Sequence, residues 1–310
     1  MLGAARDAGL SPKEKKEKKR ERNNAEVGEA RRFQYWVKMV AVRIRAATEA
    51  LRNVGKLIDV GTFENFIRAH IPGSVRSPIR GDLKSAILPT SILDFESASR
   101  LFSDLDIRDK TPCIVYDTGE MLPSTRLAFV LRYWGVRDVS VLSGGFTSYL
   151  TKGGRACSGY SEMAEEKEVV NPSLQPTPDD SLLVGWEEVF KASSKNCGAQ
   201  IIDARSPGEF SGVDMKGLPR GGHIPTAINI PWGEVISPKT REYLAQGELR
   251  ALFQSRGVDL ERPALVLCLA GVRASAVATA LEAAGATGGV KVYEGSMAEW
   301  SLMTELPILC

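Results

Sequence analysis

A chain of 310 residues is long enough for two ordinary domains, and 43% hydrophobic with 25% charged residues is the composition of a globular protein. A formal net charge of +2 gives no reason to expect a nucleic-acid partner, and no uncharged apolar run reaches the roughly 18 residues that spanning a membrane requires. Five scattered cysteines without a CxxC pair exclude a disulfide framework or zinc site as the first expectation, and two histidines supply any histidine-base mechanism poorly.

The N-terminus opens with a charged stretch. Lys13 to Arg22 holds seven basic and three acidic residues, which favours solvation over burial and leaves no apolar core for a secretory signal. Arg20 to Arg31 has the look of a DNA-binding basic region, but no leucine heptads follow, and a solvated tail is the better reading. Phe33, Trp36, Val37, Val40 and Ile44 fall at helical spacing. Residues 1–43 are therefore read as a basic tail ending in a helical pattern. The odd cysteine count and the absence of a secretory core point to a reducing compartment, the cytosol or alternatively the mitochondrial matrix.

From about residue 44 the chain repeats itself. Leu57-Ile58-Asp59-Val60 is echoed by Ile201-Ile202-Asp203-Ala204, and His70-Ile71-Pro72 by His223-Ile224-Pro225. Asp117 and Cys268 share the same offset, 151 residues, as Gly144 and Gly295. Two separated landmarks with one offset indicate a tandem duplication. The second copy carries nine extra residues between its Asp and His landmarks, in the Gly208–Gly222 loop. Within each copy short apolar runs alternate with helical patterns. Val115-Tyr116 is followed by a stripe at Leu127, Val130 and Leu131. Ala264 to Leu267 is followed by Ala274 to Ala284, rich in strong helix formers and stopped by Gly285. The order implies a parallel sheet covered by helices on both faces. The expected organisation is a first copy over 44–154, a polar linker over 155–180 and a second copy over 181–310.

The segment Leu265-Val266-Leu267-Cys268-Leu269-Ala270-Gly271-Val272-Arg273-Ala274-Ser275 reads as a strand that ends on a cysteine, a glycine turn and a helix start. Ligands of parallel sheets bind beyond the carboxyl ends of the strands. Loop amides converging on Cys268 and the adjoining helix N-terminus would favour its thiolate, and Gly271 would allow the turn. Such a thiol can attack a sulfane sulfur, and an amide cradle can hold the persulfide anion that results. The competing reading is a small buried core cysteine. His70 and His223 recur in both copies and read as structural turns. Asp59 and Asp203 also recur and read as loop braces. Trp232 and Trp300 are packing residues, with Trp232 able to border a donor pocket. Cys310, at the C-terminus, is read as exposed.

Here the sequence resembles the rhodanese family, in particular the tandem-domain thiosulfate and 3-mercaptopyruvate sulfurtransferases, over roughly residues 44–305. The resemblance rests on Ile202-Asp203-Ala204-Arg205-Ser206-Pro207, on Gly222-His223-Ile224-Pro225 with Asn229-Ile230-Pro231-Trp232, on the Cys268 loop, and on Tyr293-Glu294-Gly295-Ser296 with Glu299-Trp300. It implies two tandem α/β rhodanese-like domains, each a small parallel sheet flanked by helices, with the active pocket facing the domain interface. It also implies an inactive first copy, because family first domains often carry Asp at the cysteine position, where Asp117 stands. The implied reaction is sulfur transfer from thiosulfate or 3-mercaptopyruvate through a Cys268 persulfide. The acceptor is a thiol, cyanide or a thioredoxin-like protein, and no metal or organic cofactor is required. Arg205 aligns with an arginine that contacts the donor's anionic group, and Arg273, Leu269, Ala270, Gly271 and Val272 complete the implied substrate contacts. Rhodanese-fold phosphatases place their arginine one residue farther on, where Ala274 stands, which argues against phosphate or arsenate chemistry. Leu269-Ala270 matches neither the basic residues of thiosulfate enzymes nor the Gly-Ser or Gly-Thr of mercaptopyruvate enzymes. The first copy also lacks the family's Asp and His after Pro72-Gly73, having Ser74-Val75-Arg76-Ser77-Pro78 instead. A non-catalytic rhodanese-like interaction module is the alternative from a different class.

Overall fold

The computed structural model describes residues 43–45, 55–77, 94–159, 174–194 and 198–310. The basic tail and the proposed helical stretch up to residue 42 lie outside them. Two five-stranded parallel sheets repeat one topology. In the first, β1 (Arg43–Arg45), β2 (Lys56–Asp59), β3 (Ser74–Arg76), β4 (Cys113–Tyr116) and β5 (Val139–Leu142) lie in the order β1-β5-β4-β2-β3. In the second, β6 (Leu183–Val184), β7 (Gln200–Asp203), β8 (Ile228–Asn229), β9 (Ala264–Leu267) and β10 (Val290–Tyr293) lie in the order β6-β10-β9-β7-β8. Each pairing is parallel. The helices are α1 (Phe63–Arg68), α2 (Phe95–Asp104), α3 (Leu122–Tyr133) and α4 (Gly145–Thr151) in the first copy. In the second they are α5 (Trp186–Ala192), α6 (Pro207–Phe210), α7 (Gln246–Ser255), α8 (Val272–Ala284) and α9 (Ser296–Trp300). No described helix is long and apolar enough to cross a membrane.

The duplication read from landmark spacing is thus a duplication of topology. One residue departs from the helical periodicity. Ile44 belongs to strand β1, whose backbone pairs with Val141 on the edge of the first sheet, so the helical spacing through this residue does not continue to a helix. β1's hydrogen bonds to β5 decide the conformation there. The linker expected over 155–180 is also tied down at both described ends. Cys157 exchanges backbone hydrogen bonds with His70, while the Thr177 and Asp179 amides donate to the Trp134 and Tyr133 carbonyls.

β4 (Cys-Ile-Val-Tyr) and β9 (Ala-Leu-Val-Leu) are buried along their whole length, as central strands covered on both faces must be. α8 has no polar face to show to solvent. It begins after Gly271, runs through a series of alanines and ends on Gly285 in the left-handed conformation at φ 92°. Such a helix is stable only when surrounded, and it is: β9 lies on one side and α3 of the first copy on the other. The main apolar core consequently runs through both copies, from Ile58, Val115 and Leu127 to Ile202, Val266 and Val277. Residues 41–310 form one compact unit.

Candidate active site

Cys268 follows the last residue of the central strand and is buried. Only Leu269, Ala270 and Gly271 separate it from α8, so Val272 and Arg273, among the implied substrate contacts, lie in the first helical turn. Gly271 makes the turn at φ 79°. A side chain there would be strained, and its Cβ would lie 2.6 Å from Oε2 of Glu294. Ser296 stitches the loop to the next segment. Its hydroxyl accepts from the Cys268 amide at 3.1 Å and from the Gly271 amide at 3.2 Å, and donates to the Tyr293 carbonyl at 2.7 Å. Ser296 holds a positive φ of 52°, unfavourable for a residue with a Cβ, and these bonds offset the strain. The Met297 and Ala298 amides complete the join by donating to the Cys268 and Leu269 carbonyls at 3.1 and 2.9 Å.

This arrangement departs from the expected cradle in one respect. The Gly271 amide goes to Ser296 and the Val272 amide to the Ala270 carbonyl at 3.0 Å, so neither faces the sulfur. Among the described hydrogen bonds, the amides of Leu269, Ala270, Arg273 and Ala274 remain open.

The first copy shows what such a loop does with an anion. Asp117 Oδ1 accepts from the Gly119 and Met121 amides at 2.8 and 3.1 Å, and Oδ2 from the Ser124 amide at 3.1 Å. The carboxylate is buried and wholly enclosed by its own loop. The backbone join is the same in both copies, with the Phe146 and Thr147 amides donating to the Asp117 and Thr118 carbonyls.

Two stretches, residues 45–152 and 187–303, match the rhodanese-like domain family. The chain belongs to the rhodanese family. It is 30% identical over 275 residues to 3-mercaptopyruvate sulfurtransferase of Escherichia coli K12, covering 88% of this chain and 92% of that protein. It is 29% identical over 247 residues to thiosulfate sulfurtransferase of Gallus gallus, covering 76% and 80%. The crystal structure of SseA from Escherichia coli, a 3-mercaptopyruvate sulfotransferase with the rhodanese fold, superposes with a TM-score of 0.69 at 28% identity, over 83% of this chain and 99% of that one. The chain is a tandem-domain sulfurtransferase.

Around this rhodanese loop the charged residues are already paired. Arg273 makes a two-pronged contact with Glu209, Nη1 to Oε2 at 2.6 Å and Nη2 to Oε1 at 2.8 Å. Glu209 also closes a capping box with Ser206 at the start of α6. Burial works to raise the Glu209 carboxyl, but the Arg273 and Ser206 hydrogen bonds outweigh it and hold it down at about 2. Burial works to lower the Arg273 guanidinium, but Glu209 bonding and the nearby charges of Cys268 and Asp203 raise it. Arg205, expected to face the donor, is buried. Its Nε and Nη2 reach the Asp203 carboxylate and Nη2 the Gly222 carbonyl at 2.8 Å. Asp203 is fully buried; desolvation pushes its carboxyl up and Arg205 opposes this. Its Oδ1 also receives the Arg205 amide, as Asp59 Oδ1 receives the Gly61 amide, so both aspartates brace loops. Leu269, Ala270 and Val272 lie beside Cys268 in the chain, all three half-buried.

His223 stacks on Phe210 and contacts its carbonyl at 2.9 Å, a structural turn as read from duplication. Trp300 is buried with its indole N–H on the Pro307 carbonyl, and half-buried Trp232 packs against the main core. Cys310 is exposed.

Three contributors escape the sequence reading. Glu209 is detectable in principle, since Ser206-Pro207-Gly208-Glu209 is a capping-box pattern. The Ser296 hydroxyl is visible only as one letter of a motif. Arg126 has no signal: it lies on α3 of the first copy, fully buried, yet both guanidinium ends reach the Glu294 carboxylate, Nη1 to Oε2 at 3.0 Å. The copy without the cysteine therefore grips the residue that rests on Gly271.

Proposed function

We propose that Cys268 carries sulfur as a persulfide between a small anionic donor, thiosulfate or 3-mercaptopyruvate, and a thiophilic acceptor, a thiol, cyanide or a thioredoxin-like protein. In the first step the Cys268 thiolate attacks the donor's sulfane sulfur. A Cys268 S–S bond forms, the donor's S–S or C–S bond breaks, and sulfite or pyruvate leaves, the latter with a proton taken up at carbon. In the second step an acceptor thiolate attacks the outer sulfur, leaves as a persulfide and returns Cys268 as thiolate. No histidine is needed in either step.

The observation that carries this reading is the enclosed Asp117 carboxylate. A loop of the same fold in the same chain gives three amides to one anion, so its counterpart is suited to receive one. Persulfidation places an anionic sulfur beyond Cys268, next to the open amides of Leu269, Ala270, Arg273 and Ala274 and the N-terminus of α8. The same comparison supports an inactive first copy, whose amides are already taken by its own side chain. Arg205 acts in this reading as a brace for Asp203 and Gly222, and Arg273 as a cation in electrostatic reach of Cys268, neutralised in part by Glu209.

The test is intact mass after incubation with either donor and then cyanide. A gain of about 32 Da, one sulfur atom, that cyanide removes is the expected adduct. Cys268→Ser must abolish it; an adduct that survives this substitution would move the chemistry elsewhere. Comparing turnover on the two donors assigns the preference.

A further inference from the structure

Away from the catalytic loop, the first copy brings a second thiol against an imidazole. Cys157 Sγ lies 3.0 Å from Nε2 of His70. The other ring nitrogen, Nδ1, lies 2.8 Å from the Phe66 carbonyl oxygen. A carbonyl only accepts, so Nδ1 carries the proton and Nε2 presents a lone pair to the sulfur. The ring is fixed in that attitude. It stacks on Phe66 at 4.0 Å and 9°, and the His70 and Cys157 backbones exchange hydrogen bonds of 2.9 and 3.0 Å. Among the described residues the thiol has one alternative acceptor, the His70 carbonyl, farther away at 3.7 Å. His70 is buried and Cys157 half-buried, so the base is sheltered while the sulfur can be reached. Asp59 is near enough for its charge to act on His70.

The duplication shows that the turn does not need this thiol. In the second copy His223 holds the same attitude, with Nδ1 2.9 Å from the Phe210 carbonyl and the ring stacked on Phe210 at 3.8 Å. Its backbone exchanges hydrogen bonds of 2.7 and 2.9 Å with Leu309. Leu309 thus stands where Cys157 stands, and the imidazole there serves architecture alone. The first copy adds a nucleophile to a ring that the fold had already oriented.

We propose that Cys157 and His70 form a second thiol site, which exchanges with small disulfides. The Cys157 proton passes to His70 Nε2, and Sγ attacks one sulfur of the disulfide R–S–S–R. A new S–S bond forms to Cys157 and the old one breaks. The leaving thiolate recovers the proton from Nε2 and departs as RSH. Cys157 is oxidised to a mixed disulfide, and one sulfur of the reagent is reduced. The reaction needs nothing from Cys268, so it stands apart from the sulfur-transfer reading.

The experiment uses the full chain carrying Cys268→Ser, with 2-hydroxyethyl disulfide as probe at pH 7 and quenched peptide mass mapping. Cys310 is the internal standard, an exposed thiol that approaches the Gly221 carbonyl at 3.7 Å. Cys157 is expected to react about tenfold faster than Cys310, within the range that raising the thiolate fraction of an ordinary thiol allows. His70→Asn keeps a donor to the Phe66 carbonyl but removes Nε2, and should bring Cys157 down to the Cys310 rate. Equal rates in the parent chain, or an unchanged rate with His70→Asn, overturn the site. Should His70→Asn not fold, Leu309→Cys decides. It sets a thiol against His223 at a half-exposed position and should react about tenfold faster than Cys310. A new thiol that reacts no faster than Cys310 overturns the proposal equally.

Discussion

Replacing Arg126 with Met tests how the first copy supports the second. The Arg126 guanidinium is wholly buried, and the Glu294 carboxylate that it grips is 15% exposed. Nη1 also approaches the Ser275 hydroxyl at 3.4 Å, and the guanidinium carbon lies 5.9 Å from the Phe129 ring centre. Met fills much of the aliphatic volume, so lost packing is small and the main effect is a carboxylate left without its cation. Breaking a buried pair in this way costs about 3–5 kcal/mol; the partial exposure of Glu294 lets water compensate and puts the expectation near 3. Removing both charges with Arg126→Met and Glu294→Met relieves the stranded carboxylate, so the double variant should be more stable than Arg126→Met alone, by about 1–2 kcal/mol. Urea unfolding followed by tryptophan fluorescence measures each value. Turnover should fall in the single variant as well, because the released carboxylate lies against Gly271 beside the sulfur that must become an anion. A loss below about 1 kcal/mol, or a double variant no better than the single, would refute the idea that this pair is a buried electrostatic clamp across the copies.

Further outcomes follow from the same geometry. Ser296→Gly relieves the positive φ but strands two buried amides, and should lower stability by about 1–2 kcal/mol while reducing the rate of persulfide formation, read by stopped quench and mass. Asp117→Asn exchanges one carboxylate oxygen for an amide donor that faces a loop N–H; a loss of about 1–3 kcal/mol in urea with donor turnover unchanged is expected, and lost turnover would contradict an inactive first copy. Glu209 titrates at about 2 in the folded chain against an ordinary 4.5, so the unfolded chain binds the extra proton between these values. Its contribution is full above about 4.5 and lost as pH falls toward 2; Glu209→Gln should remove that share of acid sensitivity, measured as proton uptake on unfolding at pH 3 to 4.

Much of this architecture is legible in the amino-acid sequence alone. A single offset of 151 residues joining Asp117 to Cys268 and Gly144 to Gly295 requires two copies of one topology, and two sheets of identical strand order are what the fold contains. Cys268 is legible because a strand, a cysteine and a glycine turn are local in sequence. Arg205 shows the limit. Its place in a motif suggests a donor contact, but whether a guanidinium faces outward or folds back on an aspartate two residues earlier depends on burial that a local pattern does not record. Ile44 shows another limit, since the sheet edge at Val141 that claims it is distant in the chain. Arg126 shows the last, because its partner is 168 positions away and in the other copy.

The two loops together give a physical reason for the proposal that the second copy reacts and the first does not. Each must satisfy the amides of a tight turn ahead of a helix, and buried N–H groups without partners are costly. Asp117 meets that demand permanently with an anion covalently attached to the loop, at the end of the central strand. At the same position Cys268 offers a thiol, a poor acceptor, so part of the demand is diverted to the Ser296 hydroxyl and part is left open. The side chain in the first copy is a finished anion, whereas the one in the second becomes a better acceptor only on gaining a sulfur. The duplication then did more than add a scaffold. On the proposed reading it freed one loop to keep amides in reserve for a transferred atom, while the other copy contributes Arg126, which holds the Glu294 carboxylate against that loop.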